Sequence, residues 1–159
     1  MKIAYIVDTS ATLTHKTKEE NIYRLPFNTY NASGVLQKVT DSKQLEKIQN
    51  NNIDGQKSYV EPTPGSYRDL YQALEKKGYT HLFVIPQSKK LSISHKNAEY
   101  ASRYLNLDIK VIDVDEFNLS STDVLSFLVE DKKVQENINR IIIDFSVLTD
   151  LIRTAITNI

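Results

Sequence analysis

Three apolar runs, KIAYIV (2–7), HLFVIP (81–86) and IKVIDV (109–114), constrain this chain most. They are dominated by apolar, often β-branched residues rather than by strict polar/apolar alternation. Strands of that kind must be covered on both faces. The stretches between them have helical period. In PTPGSYRDLYQALEKKG (62–78), Tyr67, Leu70, Tyr71 and Leu74 fall at i, i+3, i+4 and i+7. Thr63 suits the N-cap, Pro64 the first helical position and Gly78 the far end. SISHKNAEYASRYL (92–105) puts Ala98, Ala101 and Leu105 on one helix face, with Tyr100 and Tyr104 beside them. DSKQLEKIQNN (41–51), capped by Asp41 or Ser42, and SSTDVLSFLVED (120–131), capped by Ser120 or Ser121, read as further helices. YRLPFNTY (23–30) reads as one strand, with Pro26 favouring an edge or bulge. NASG (31–34) is a turn and QKSYV (56–60) a short strand. Alternating strand and helix predicts an α/β domain with a parallel-dominated sheet flanked by helices on both faces.

Composition narrows the function. The chain has 159 residues, enough for one domain with a real core. Lys plus Arg and Asp plus Glu both number 20, which argues against a nucleic-acid partner. Without cysteine there is neither a thiolate metal site nor a cysteine nucleophile. His15, His81 and His95 lack metal-ligand spacing, and no strand leads into G-x-G-x-x-G, so neither metal nor cofactor is expected. Ser92 near His95 invites a nucleophile-and-base reading, but no orienting carboxylate or G-x-S-x-G elbow accompanies them. The chain therefore reads as a non-enzyme. No signal peptide or membrane span is recognisable, which predicts a cytoplasmic protein.

Each strand leads into a turn bearing hydroxyls: DTS (8–10), EPTPG (61–65), QSKKLSIS (87–94) and DEFNLSS (115–121). In a parallel sheet, ligands bind beyond the carboxyl ends of the strands. Helix starts at Thr63 and at Ser92/Ser94 would aim N–H groups at that edge, an arrangement suited to a carboxylate or phosphate. The same residues are also the commonest helix caps, so capping alone is the competing reading. Lys89, Lys90 and Lys96 flank the second turn, either drawing an anion or forming a solvated cluster. Ile138, Ile141, Phe145, Leu148, Ile152, Ala155 and Ile159 recur by three and four, predicting an amphipathic helix over 133–159. It either docks on the sheet or forms a dimer seam widened by Ile142, Ile143 and Leu151. The β-branched run RIIID keeps a local strand open.

IVDTSATL (6–13), VEPTPGSYRDLYQALEKKGYTHLFVI (60–85), SKKLSISHKNAEYA (88–101) and IKVIDVDEF (109–117), taken in order, resemble the first domain of the DegV family. The resemblance implies binding of a long-chain fatty acid and, as in some members, service as the acyl-carrying subunit of a fatty-acid kinase. The family pattern Thr-Ser-Gln-Pro-Ser-Pro-Gly corresponds to residues 59–65, with Tyr59 in place of the carboxylate-holding Thr. Leu-Ser-Gly-Thr corresponds to Leu91, Ser92, Ile93 and Ser94, which keeps the carboxylate-binding Ser and replaces Gly by Ile93. The lipid-binding set implied is Ser92, Ser94, Thr63, Tyr59 and Ile93. Ile93 is the departure expected to resist a close backbone approach. The reading divides the chain into a DegV-like domain over 1–132 and the C-terminal helix, with the family's second domain absent. A half-site would leave much of a tail of about sixteen carbons in water, at about 0.8 kcal/mol per CH₂. A partner chain or homodimer would then be needed. The alternative is a degenerate structural or interaction module that binds no lipid and dimerises through the C-terminal segment.

Overall fold

In chain order the elements are β1 (Ile3–Asp8), β2 (Ile22–Leu25), β3 (Asn28–Tyr30), β4 (Leu36–Lys38), α1 (Ser42–Asn50), β5 (Tyr59–Val60), α2 (Pro64–Lys76), β6 (His81–Ile85), α3 (Ser94–Ser102), β7 (Asp108–Val111), α4 (Ser121–Glu130), α5 (Lys132–Glu136), α6 (Ile138–Ile143) and α7 (Ser146–Thr157). A short 3₁₀ turn, Val114–Phe117, links β7 to α4. They are seen in a computed structural model that describes residues 1–14, 21–51 and 58–157. Residues 56 and 57 of the strand expected over 56–60, His15 and Ile159 lie outside the described residues.

The main sheet is parallel, in the order β2-β1-β6-β7. Its two central strands alternate their side chains between two cores. Tyr5, Val7, Phe83 and Ile85 face one, where the Tyr5 and Phe83 rings stack at 5.8 Å. Val124, Leu125 and Leu128 of α4 cover that face, together with Val134, Ile141, Leu148 and Ile152 of α5, α6 and α7. Ala4, Ile6, Leu82 and Val84 face the other, under Tyr67, Tyr71 and Leu74 of α2 and Ala98 and Ala101 of α3. The doubly covered parallel sheet predicted from the apolar runs is present.

The caps follow local chemistry. Thr63 caps α2 by accepting from the Ser66 N–H, with Pro64 in the first turn. Asp41 caps α1, and Ser120 forms a reciprocal capping box with Asp123.

Three expectations are corrected. The stretch 23–30 is two strands, because Pro26 has no N–H to continue the ladder. Beyond it, β3 joins β4 and β5 in a separate antiparallel sheet. The C-terminal stretch is three helices rather than one. Asn137 interrupts the first junction, and extended Asp144 ends α6 while its carboxylate accepts from the Ser146 N–H and hydroxyl. Of their apolar residues, Ile141, Leu148 and Ile152 are buried in this chain's own core, Ile138, Ile142, Phe145 and Leu151 pack against it partly buried, and Ile143 and Ile156 are exposed. Lastly, α3 ends at Ser102, so Tyr104, at φ 65°, is almost wholly exposed, and Tyr100 is also exposed.

The turn after β1 ties these parts together. Asp8 and Thr9 are fully buried. Asp8 Oδ1 accepts from the Ser10 N–H at 2.8 Å and from the Ser10 hydroxyl, and Oδ2 accepts from the Gln87 N–H beyond β6 at 2.8 Å. Thr9 Oγ1 accepts from the Phe27 N–H and donates to the Val39 carbonyl, both at 2.9 Å, fixing the small sheet's position. Ser121, at the start of α4, donates to the Pro86 carbonyl at 3.0 Å. Burial pushes the Asp8 carboxyl above its ordinary value of 3.8, against the pull of the Ser10 and Gln87 donors and of Arg24.

Thr9→Val should cost about 1–3 kcal/mol in urea unfolding, because it strands a buried N–H and carbonyl. Thr9→Ser should recover most of that loss; a valine variant as stable as wild type would contradict the assignment. Asp8 also gives a pH signature. Its contribution to stability is whole below 3.8 and is lost as pH rises through the raised folded value. The stability of wild type minus that of Asp8→Asn should therefore fall with rising pH across this window, and a rise would contradict the shift.

Candidate functional site

The loops after β1, β5, β6 and β7 gather at the carboxyl edge of the main sheet. There α2 and α3 begin side by side on one face, and Asn97 Nδ2 of α3 donates to the Pro62 carbonyl, just before α2, at 3.0 Å. First-turn N–H groups of neighbouring helices make such an edge favourable to an anion.

Ser92 and Ser94 form one unit. The Ser92 hydroxyl donates to Ser94 Oγ at 2.7 Å and accepts from the Ser94 N–H at 2.9 Å. Burial, reinforced by the nearby Asp8 and Tyr71, raises the Tyr67 pKa well above its usual range, against the downward pull of the Ser94 side chain, so the phenol stays protonated. Both serines are buried.

Ile93 is the N-cap residue of α3, at φ −90° and ψ 8°. That conformation is open to any residue, so this turn does not require glycine. The Ile93 side chain is half exposed. Tyr59 packs its ring on Phe27 at 6.1 Å, and its hydroxyl lies 3.5 Å from the Leu91 carbonyl. Thr63 is exposed at the start of α2. Its Oγ1 accepts from the Ser66 N–H at 3.1 Å, which leaves the hydroxyl proton available to donate. The structure thus joins Ser92 and Ser94 directly, sets Tyr59 against the same turn, and ties the segment before Thr63 to α3 through the Asn97–Pro62 bond.

A cleft of about 490 Å³ opens beside the turn, with Ser10, Tyr59, Gln87 and Leu91 among its lining residues. Hollows of about 290 and 420 Å³ lie among α4 to α7, the larger also lined by Leu119 of the loop after β7. The cleft at the strand ends is the natural ligand position in a parallel sheet.

His95 does not pair with Ser92 as base and nucleophile. Its Nδ1 faces Glu99 at 3.5 Å, and buried Nε2 has no hydrogen-bond partner. Burial lowers its pKa below 6.5, against the upward pull of Glu99. Lys89 pairs with Asp113 at 3.3 Å, and Ser88 donates to Asp115 at 2.7 Å, which fastens the turn to the loop after β7. Among the described residues no group of three or more His, Asp or Glu could hold a metal ion, and no helix is long and apolar enough to cross a membrane.

Asn97, Gln87 and Gln49 are residues that sequence reasoning missed. Gln87 directly follows a buried strand, a position that could have singled it out. Nothing local marks Gln49, which reaches the cleft only because α1 folds against it.

No curated protein matches the sequence. Solved structures do. A fatty-acid-binding DegV family protein from Streptococcus agalactiae superposes with a TM-score of 0.64 at 22% identity, over 97% of this chain and 53% of that one. A DegV family protein from Ruminococcus gnavus, refined with vaccenic acid, gives 0.62 at 18%, over 98% and 55%. A protein from Thermotoga maritima, described as revealing fatty-acid-binding function, gives 0.60 at 16%, over 88% and 54%. The chain spans about half the length of these structures, and at such identities the likeness speaks for the fold. The family model described as "Uncharacterised protein, DegV family" matches residues 2–127, most of the chain, and on that match this protein belongs to the DegV family.

Proposed function

We propose that this chain binds, without transforming it, the carboxylate of a fatty acid or similar acyl acid at the turn carrying Ser92 and Ser94. The observation that carries the reading is the buried Ser92–Ser94 pair at the start of α3, at the carboxyl edge of the sheet and beside an open cleft. Relatives of the same fold are described as fatty-acid-binding. On ligand entry the Ser92 hydroxyl turns from Ser94 to the carboxylate. The Ser94 hydroxyl and the spare Thr63 proton add donors, and the Tyr59 phenol stands in for the family threonine. Ile93 contributes its backbone and an apolar rim. The α3 dipole favours the negative charge.

The resemblance further suggests a carrier role in the cytoplasm, handing the acyl group to a fatty-acid kinase subunit that performs the chemistry. The partner, or a second copy of the chain, would shield the rest of the tail. The rival reading, a lipid-free module pairing through the C-terminal segment, has less support. That segment spends Ile141, Leu148 and Ile152 on the chain's own core.

Solvent extraction of the purified protein followed by mass spectrometry should release fatty acid. Ser92→Ala should weaken oleate binding by about 1.5–3 kcal/mol, the worth of a charge-assisted hydrogen bond, or roughly ten- to a hundredfold in Kd. Oleate binding by the alanine variant as tight as by wild type, with the fold intact by circular dichroism, would remove Ser92 from the site. An empty extract together with no thermal shift on adding oleate would favour the lipid-free module.

A further inference from the structure

The cleft beside the Ser92 turn is mixed in chemistry: Leu45, Tyr59 and Leu91 suit an alkyl chain, but they share the lining with groups that a plain alkyl chain leaves unserved. Its lining includes the carboxamides of Gln49 and Gln87, which clasp each other reciprocally, Nε2 to Oε1 at 2.8 and 2.9 Å. Each amide so paired keeps one N–H and one lone pair for a further partner. Gln87 is buried, and its backbone N–H is fixed by Asp8, so its carboxamide starts from an anchored base. Around the pair stand the hydroxyls of Ser10 and Ser42, with Glu46 and Lys90 exposed at the rim. Lys90 and Leu91 belong to the turn that carries Ser92, so the cleft adjoins that turn.

A saturated chain laid over this lining would take water from the amides and hydroxyls and return no hydrogen bond. A secondary amide offers one donor and one acceptor, the complement of what the glutamine pair leaves open. Resting on the carboxylate reading above, we infer that the preferred ligand is an acyl carboxylate with an amide a few atoms from its head group, of the N-acyl amino acid class, selected by Gln49 and Gln87.

Calorimetric titration with N-lauroylglycine and with pentadecanoate, chains of equal length, tests this. Wild type should bind the N-acyl compound about tenfold tighter, and Gln49→Leu, which replaces one of the two amides by an apolar group, should bring the ratio within about twofold by weakening the N-acyl compound relative to pentadecanoate. Gln49 is half-buried on α1, and Gln49→Ala, checked by circular dichroism, serves the same end. Pentadecanoate binding to wild type as tightly as the amide, or a preference that survives both substitutions, would overturn the inference and leave the carboxylate reading standing. Failure of both ligands to bind wild type would count against the carboxylate reading itself, and the inference would fall with it.

Discussion

The arrangement depends on three consecutive residues, Asp8, Thr9 and Ser10, where the chain leaves its first strand. A parallel sheet gives its strand ends no direct means of holding the following loops in place, because hydrogen bonding between strands stops there. Asp8 supplies one by taking the Gln87 N–H across the gap to the next strand's loop. Thr9 supplies another by serving both donor and acceptor from the small sheet. Both side chains are removed from water, so each unmade bond would carry a desolvation penalty. That penalty makes this turn specific rather than merely permitted.

From that anchor the site follows by topology. α2 and α3 cover one face of the sheet and begin at its carboxyl edge, which sets their first turns beside each other. The Asn97–Pro62 bond then holds the two starts together. The opposite face is closed by α4 to α7, whose apolar residues merge into one core with β1 and β6. One face thus contributes chemistry at its edge and the other contributes mainly burial.

Most of the frame was legible because it rests on local signals. The apolar runs marked β1 and β6, and the caps at Asp41, Thr63 and Ser120 were readable from a few residues each. The failures share a physical cause, competition between local preference and tertiary contact. YRLPFNTY looks like a single strand until Thr9, distant in sequence, claims the N–H of Phe27. The C-terminal period of three and four is real, yet Asp144 offers its carboxylate to Ser146 and breaks the helix without disturbing the apolar stripe. Ser92 and Ser94 could be named from the sequence, but their mutual bond could not, and neither could the approach of α1 that brings Gln49 to the cleft. At Ile93, a φ of −90° shows that the backbone of this turn does not itself call for glycine.

In the proposed reading, the helix starts at Thr63 and Ser92 are where negative oxygen would be received. A backbone-amide NMR titration of the protein with oleate addresses this most directly. Shifts should concentrate at residues 63–67 and 91–96, with weaker changes at Ser10 and Gln87. Shifts confined to the hollows among α4 to α7, with the two helix starts silent at saturating oleate, would contradict it.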